Sequence, residues 1–272
     1  MNNLLTDISS LKKHILHVNH EKNKPEQIFD GRISDLSKAS AVLLLIGQQY
    51  NKKKFLEEPC IILNKRSQKV RQAGDLCCPG GGISYKTDSR IAKIITLPYL
   101  PLTRWPYWSQ CQKEWPEQSG QMALLYATTL RECYEEMRLN PLRVRFLGPL
   151  QIQQLNIAQR VIYPMVGWIS RQKKYNPNWE VEQIIYIPLK DLLNPACYSQ
   201  MQIEVASQHK GDSNLLSDTF PCFIYQNQNG NEFLWGATYR IVMQFLKLVF
   251  NFIPPKFESM PVMHRKLDEN YF

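Results

Sequence analysis

The chain has 272 residues, 44% of them hydrophobic and 21% charged, which allows one substantial core and predicts one main domain. The formal net charge of +9 attracts phosphorylated ligands, nucleic acid or acidic lipid without choosing among them. No apolar run reaches the roughly 18 residues of a membrane span, and no secretory signal follows Met1, so we expect no membrane partner and a cytoplasmic location. Seven cysteines without paired metal-site spacing predict reduced, mostly buried thiols.

The N-terminal part of the sequence predicts a helix followed by two strands. Residues 1–36 form a predicted helical extension and linker, because apolar residues recur at helical spacing between Leu4 and Ile15. The main domain is expected over residues 37–253. Its first buried strands are predicted at residues 41–46 and 60–63.

Residues 89–121 interleave prolines with tryptophans, so neither a helical nor a strand period runs for long, and we predict an insertion there. Its aromatic and basic cluster, residues 104–108, either packs the loop onto the domain or stacks on a base, and packing is favoured. Further elements complete a predicted mixed α/β order: a helix at 122–139, strands at 144–146, 161–168, 184–187, 222–225 and 233–235, a helix at 237–250 and a tail at 254–272.

The predicted helix at 122–139 carries three acids at positions i, i+3 and i+4, namely Glu132, Glu135 and Glu136. Side chains at this spacing project from one face of a helix, and their mutual repulsion is relieved when a divalent cation lies among them. Because oxygen-only ligands favour hard ions, Mg²⁺ or Mn²⁺ is the expected cofactor. Arg131 lies one helical turn before Glu135, at positions i and i+4, and is expected to hold a carboxylate in place. The alternative is a solvated acidic helix face.

The same segment resembles the core of the Nudix box, R-E-U-x-E-E, in the run Arg131-Glu132-Cys133-Tyr134-Glu135-Glu136. Gly81 matches the leading glycine of that box, and Asp88 stands in place of its middle glutamate. The box is stretched, because 42 residues lie between Asp88 and Arg131 where the family has about seven. Arg138 occupies the position of the final glycine, a change that we expect to affect only a helix end.

The resemblance extends over about residues 38–250 and is greatest to the coenzyme A pyrophosphatase branch of the Nudix superfamily. Residues 63–67, with Arg71, Gly74 and residues 79–81, are similar to that branch's L-T-x-R-S-x3-R-x3-G-x3-F-P-G-G pattern. Three departures are visible, namely a shortened spacing before Gly74, Asn64 in place of Thr, and Cys78 in place of Phe.

The resemblance implies a Nudix-type α/β/α sandwich with a mixed β-sheet, with the insertion 89–121 inside the box. It implies hydrolysis of a nucleoside diphosphate-linked substrate, with coenzyme A or its acyl derivatives favoured. The metal ligands and acid–base residues would be drawn from Arg131, Glu132, Glu135, Glu136, Gly81 and the more distant Glu180, with Glu182 behind it. The substrate's phosphates would be bound by Lys65, Arg66, Arg71, Gly80 and Gly81, unless these cations are ordinary surface charges.

Two alternatives stay open. One is a hydrolase of another small nucleotide diphosphate, such as a dinucleotide or a nucleotide sugar. The other is a non-catalytic Nudix-like module that binds a nucleotide or nucleic acid; the three intact glutamates argue against it, and nucleic acid is not the expected partner. Self-association into a homodimer is also left open.

Overall fold

The computed structural model describes residues 2–29, 33, 35–51, 56–155, 160–170, 172, 174–205, 219–228, 230–267 and 271. Two β-sheets and eight α-helices are seen within these ranges, so the predicted mixed α/β class is confirmed. The helices are α1 (Asn2–Thr6), α2 (Ile8–Lys22), α3 (Pro25–Ile28), α4 (Tyr85–Ile95), α5 (Trp108–Glu114), α6 (Pro116–Met137), α7 (Leu189–Leu192) and α8 (Gly236–Phe250).

The larger sheet is organised around its long first strand. This strand pairs antiparallel with the second and fourth strands and parallel with the seventh, so the sheet is mixed. Residues Leu43 to Ile46 of the first strand are fully buried, as expected for a central strand covered on both faces. The eight strands are β1 (Ala39–Asn51), β2 (Leu56–Arg66), β3 (Leu76–Cys77), β4 (Gly80–Gly82), β5 (Val144–Pro149), β6 (Gln153–Leu155), β7 (Arg160–Ile169) and β8 (Val181–Pro188).

A second, four-stranded sheet was predicted only in part, since the predicted strands at 222–225 and 233–235 correspond to two of its strands, and the other two were not predicted. It consists of β9 (Tyr198–Val205), β10 (Thr219–Asn227), β11 (Gly230–Leu234) and β12 (Val262–Leu267), in the order β11-β10-β9-β12. Strand β12 lies in residues 254–272, which were predicted to be a tail, and pairs in parallel with β9. In β9, polar residues alternate with the buried Met201 and Ile203, a strand pattern that was available in the sequence but was not used.

The N-terminal helix α2 packs into the main core. Asp7 caps its first turn by accepting hydrogen bonds from the backbone N–H groups of Ser9 and Ser10. Leu11 and Ile15 are completely buried in the same hydrophobic cluster as strand β1. This segment is therefore part of the packed body of the protein.

The predicted insertion, residues 89–121, contains ordered helical structure. It covers most of α4, all of α5 and the first turns of α6, which begins at Pro116 rather than at the predicted residue 122. Proline is well suited to the first helical turn because its missing N–H has no helical partner there. Trp105 and Trp108 are 2% and 4% exposed, which confirms that the aromatic cluster packs onto the domain.

No helix in the described part of the chain is long and apolar enough to cross a membrane. All seven cysteines are free, and five of them are buried, as predicted. The cytoplasmic location and the homodimer stay predictions.

Candidate active site

A cavity of about 260 Å³ opens where the glycine strand β4, strand β2 and the C-terminal half of helix α6 meet. Its walls combine acidic, amide and basic side chains with bare backbone. The lining residues are Asn64, Arg66, Val70, Cys77, Gly80, Gly81, Gly82, Glu132, Glu136, Glu180 and Val181.

The glycines of β4 let the backbone approach both the sheet and the acidic helix. Gly80 has a φ of +147°, and a Cβ there would lie 2.4 Å from the carbonyl oxygen of Ala41. A Cβ on Gly81 would lie 2.6 Å from Oε1 of Glu132. At Gly80 a side chain would meet backbone, so glycine is required there, whereas at Gly81 a side chain would displace the carboxylate of Glu132.

Glu136 is the most strongly perturbed acid of the cavity. Its Oε2 accepts a hydrogen bond of 2.8 Å from Nδ2 of Asn64 and one of 3.3 Å from the backbone N–H of Gly80. Burial, followed by the nearby charge of Glu132, raises the pKa of Glu136 from 4.5 to about 8. Glu132 and Glu136 thus share a site in which the ionisation of both carboxyl groups at once is unfavourable.

Burial also raises the pKa of Glu132, although the guanidinium of Arg131 opposes this effect. Nη1 of Arg131 donates to Oε1 of Glu132 at 2.9 Å and to Oε2 of Glu135 at 3.1 Å. The predicted role of Arg131 in holding a carboxylate is therefore consistent with its contacts.

The two halves of the stretched motif meet in space. Nε of Arg131 donates to Oδ1 of Asp88 at 2.6 Å, across 43 positions of sequence. Asp88 is completely buried and also accepts from the backbone N–H of Ser84 at 2.7 Å and from Oγ1 of Thr128 at 2.8 Å. The same Arg131 reaches the carbonyl oxygen of Gly82 at 2.9 Å. Residues 89–121 therefore extend the motif without separating its parts.

Glu135 lies apart from the other two glutamates. Its side chain is 52% exposed, against 18% for Glu132, and Glu135 is not among the residues that line the cavity. In the described ranges, no group of three or more His, Cys, Asp or Glu side chains is arranged to hold a metal ion. The predicted triplet is thus present as a half-buried pair, Glu132 and Glu136, and an exposed neighbour.

Glu180 reaches the cavity from the turn before β8, and that turn is fixed to helix α6. The backbone N–H groups of Asn176 and Asn178 donate to the terminal carbonyls of Met137 and Glu136, at 3.1 and 2.8 Å. Oδ1 of Asn178 accepts from the N–H of Glu180 at 2.9 Å. Glu180 and Glu136 consequently line one cavity from two segments joined by backbone hydrogen bonds.

The three predicted phosphate-binding cations have different positions. Arg66 lines the cavity, whereas Arg71 is exposed and does not line it. The Nζ of Lys65 lies 3.2 Å from Glu232 and 3.5 Å from Glu182, so Lys65 and Glu182 both face away from the cavity. The alternation of side chains along strand β2 accounts for the separation of Lys65 from Arg66.

Five lining residues were not among the predicted site residues, namely Asn64, Val70, Cys77, Gly82 and Val181. Asn64 was treated as a departure from a family pattern, yet it binds Glu136 and is 1% exposed. Its position two residues before Arg66 on a strand places both side chains on the same face, and this signal was available. Cys77 carried no comparable signal.

No family model matches the chain. The peroxisomal coenzyme A diphosphatase NUDT7 of Mus musculus is 33% identical over 78 residues, which are 28% of this chain and 33% of that protein. The match thus spans about one third of the curated relative, and it confirms the resemblance to Nudix hydrolases predicted from the sequence.

Solved structures similar to this chain have low sequence identity. A MutT/nudix family protein from Enterococcus faecalis has a TM-score of 0.39 and 10% identity, covering 90% of this chain and 75% of that one. A NUDIX hydrolase from Alicyclobacillus acidocaldarius has a TM-score of 0.36 and 16% identity, covering 60% of this chain and 83% of that one.

Proposed function

We propose that this chain is a metal-dependent Nudix hydrolase that cleaves the diphosphate bond of a nucleoside diphosphate-linked substrate. The observation that carries the proposal is the half-buried pair Glu132 and Glu136, held against the glycine strand in a cavity that raises the pKa of both. Such perturbed acids in a cleft are typical of functional sites, because their repulsion is retained only where a ligand uses it.

The residues present fit a hard divalent cation in their chemistry. The cavity offers carboxylate oxygens from Glu132, Glu136 and Glu180, and the carbonyl oxygen of Gly81 is the other predicted ligand. Oδ1 of Asn64 is buried and has no hydrogen-bond partner in the described part of the protein, so it supplies one more oxygen donor. The predicted ligand Glu135 would complete the set from the exposed side.

Bound by these oxygens, Mg²⁺ or Mn²⁺ would neutralise the diphosphate and lower the pKa of a water molecule. The chain's own residues supply the remaining functions. Arg66 binds a substrate phosphate through charge-assisted hydrogen bonds. Glu180 holds the attacking water and accepts its proton, while Asn64 and the N–H of Gly80 fix the orientation of Glu136.

We further propose coenzyme A or its acyl derivatives as the substrate. The support is the local match to a coenzyme A diphosphatase and the branch-like residues around Arg66. A dinucleotide or a nucleotide sugar carries the same diphosphate bridge, and these compounds are the alternatives that a substrate panel separates.

The test is product analysis with purified protein, coenzyme A, a dinucleotide and a nucleotide sugar, each with Mg²⁺ and with EDTA. Hydrolysis of the bridge in coenzyme A gives phosphopantetheine and adenosine 3′,5′-bisphosphate, which mass spectrometry identifies. We expect these products in the reactions with Mg²⁺ and no products in the reactions with EDTA. Turnover of another compound in preference to coenzyme A would redirect the substrate proposal, and salt-sensitive nucleic-acid binding without any turnover would overturn the hydrolase.

A further inference from the structure

The segment that carries Arg66 into the cavity is a loop between strands β2 and β3, which we call the arginine loop (residues 66–75). The backbone N–H of Arg66 donates to the carbonyl of Asp75, and the N–H of Gly74 donates to the carbonyl of Arg66, each at 2.9 Å. Gln72, at the turn of the loop, has a φ of +56°, which side-chain-bearing residues rarely adopt. The conformation of this loop therefore needs support from outside it.

One peptide group in the loop connects Arg66 to the C-terminal part of the chain. The carbonyl of Arg71 accepts a hydrogen bond of 2.7 Å from Nε of Arg66. The N–H of Gln72 belongs to the same peptide group and donates to the carbonyl of Tyr271 at 2.9 Å. The position of the guanidinium thus depends on a peptide plane whose other end is bound to Tyr271.

A buried ionic contact fixes the end of the same loop. Asp75 is 7% exposed and accepts a hydrogen bond of 2.8 Å from Nη1 of Arg265, on strand β12, and another from the hydroxyl of Tyr271. The guanidinium of Arg265 also lies 5.6 Å from the ring centres of both Phe233 and Tyr271. Arg265 is thereby held between the second sheet and the loop.

We propose that Arg265 and Tyr271 are positioning residues for substrate binding, which set Arg66 at the cavity by fixing the arginine loop. The inference rests on the proposed function, because it assigns Arg66 to a phosphate of the substrate. It gives the second sheet a role in the site: β12 lies outside the cavity, yet its Arg265 determines where a cavity side chain is placed.

The binding test uses the full-length protein and imidodiphosphate, a non-hydrolysable diphosphate, with Mg²⁺ in a calorimeter. Arg265→Gln should raise the Kd about tenfold, comparable to the loss of one charge-assisted hydrogen bond, and Arg66→Gln should do the same. In the double variant the Arg265→Gln step should add nothing, because it acts through Arg66. Arg265→Lys should restore part of the affinity. Lys266→Gln, the same charge loss on the exposed face of β12, is the matched control.

A second measurement does not depend on diphosphate binding. The Nε–H signal of Arg66, assigned by its loss in Arg66→Lys, should exchange with solvent at least about tenfold faster in Arg265→Gln, because the hydrogen bond to Arg71 is weakened. Tyr271→Phe should show the same direction and serves if Arg265→Gln does not fold.

The outcomes separate the two proposals. If imidodiphosphate does not bind the wild-type protein, the proposed function fails, and the exchange rate alone decides whether Arg265 positions Arg66. Unchanged exchange in both variants overturns the positioning role. The positioning role is also overturned if Arg265→Gln raises the Kd by the same factor in the Arg66→Gln variant as in the wild type.

Discussion

Two groups of charged side chains meet at the C-terminal half of helix α6, and they differ in how well their charges are balanced. Arg131 and the fully buried Asp88 form an ion pair in which the carboxylate also accepts from Ser84 and Thr128. Glu132 and Glu136 instead place two acids side by side, and the pKa of each is raised.

The difference separates a structural network from a site that needs a ligand. Removing one partner of a fully paired buried charge is strongly destabilising, whereas a half-buried pair of like charges destabilises the fold until a cation binds. Substitutions in the two groups should therefore have opposite effects on the stability of the metal-free protein. The experiments below test that contrast in order of decreasing effect.

The largest expected effect is on catalysis. Glu136→Gln should fold normally and lose Mg²⁺-dependent diphosphate cleavage by roughly 100-fold or more, because a carboxylate that binds the cation is removed. Initial rates with coenzyme A at saturating Mg²⁺ provide the measurement. Glu117→Gln, an exposed acid on the same helix, should keep full activity. Wild-type turnover in Glu136→Gln would remove that residue from the site.

Breaking the balanced pair should cost stability. Asp88→Asn leaves the charge of Arg131 without its buried partner, and we expect a loss of roughly 3 kcal/mol in the free energy of unfolding. Urea denaturation measures this change. Glu135→Gln removes a partner of the same Arg131 from the exposed side, and it should cost less than about 1 kcal/mol. Equal losses in the two variants would contradict the assignment of Asp88 as the structural partner.

The unbalanced pair should make stability depend on pH. Because the pKa of Glu136 is raised to about 8, the folded protein favours the neutral acid, and this contribution is lost as the pH rises from about 4.5 through 8. In EDTA, the Tm of the wild type should fall more steeply over this window than that of Glu136→Gln. The variant should thus be the more stable one at pH 8.5.

Addition of Mg²⁺ at pH 8.5 should raise the Tm of the wild type more than that of Glu136→Gln, because the cation offsets the repulsion between the acids. Scanning fluorimetry gives both measurements. Parallel pH profiles of the two metal-free proteins would show that Glu136 is not under electrostatic stress.

The smallest effect is expected at the end of the helix. Arg138 has a left-handed φ of +55°, which favours glycine, but its guanidinium also lies 4.9 Å from the ring centre of Tyr134. Because the two contributions are similar and opposed, Arg138→Gly should change the free energy of unfolding by less than about 1 kcal/mol. Its kcat should be unchanged. A large loss of activity would show that this position does more than end the helix.

The acidic part of the site was predictable because it depends on residues that are close together in the sequence. The spacing of Glu132 and Glu136 places both on one side of a helix, and the glycine run marks a close backbone approach. The solvent exposure of each glutamate could not be predicted from the neighbouring sequence. Glu135 lies one position from Glu136, yet its environment depends on which elements pack over the helix.

Long-range pairing decided what could not be predicted. The contact between Asp88 and Arg131 spans 43 positions, and that between Asp75 and Arg265 spans 190. Neither leaves a periodic pattern in the sequence. Strand β12 was missed for the same reason, since its parallel pairing with β9 joins distant parts of the chain. The long strands of the main sheet were easier to predict, because they are apolar runs that can be recognised in the sequence.

The backbone N–H groups of Asn176 and Asn178 bind the last carbonyls of helix α6. Since main-chain atoms alone make these contacts, most replacements of Asn176 would keep its contact, whereas Asn178 also holds the N–H of Glu180 through its side chain. Proline is the exception, as it has no N–H to offer. The distance between Glu136 and Glu180 should therefore be insensitive to the side chain at position 176 and sensitive to the one at position 178.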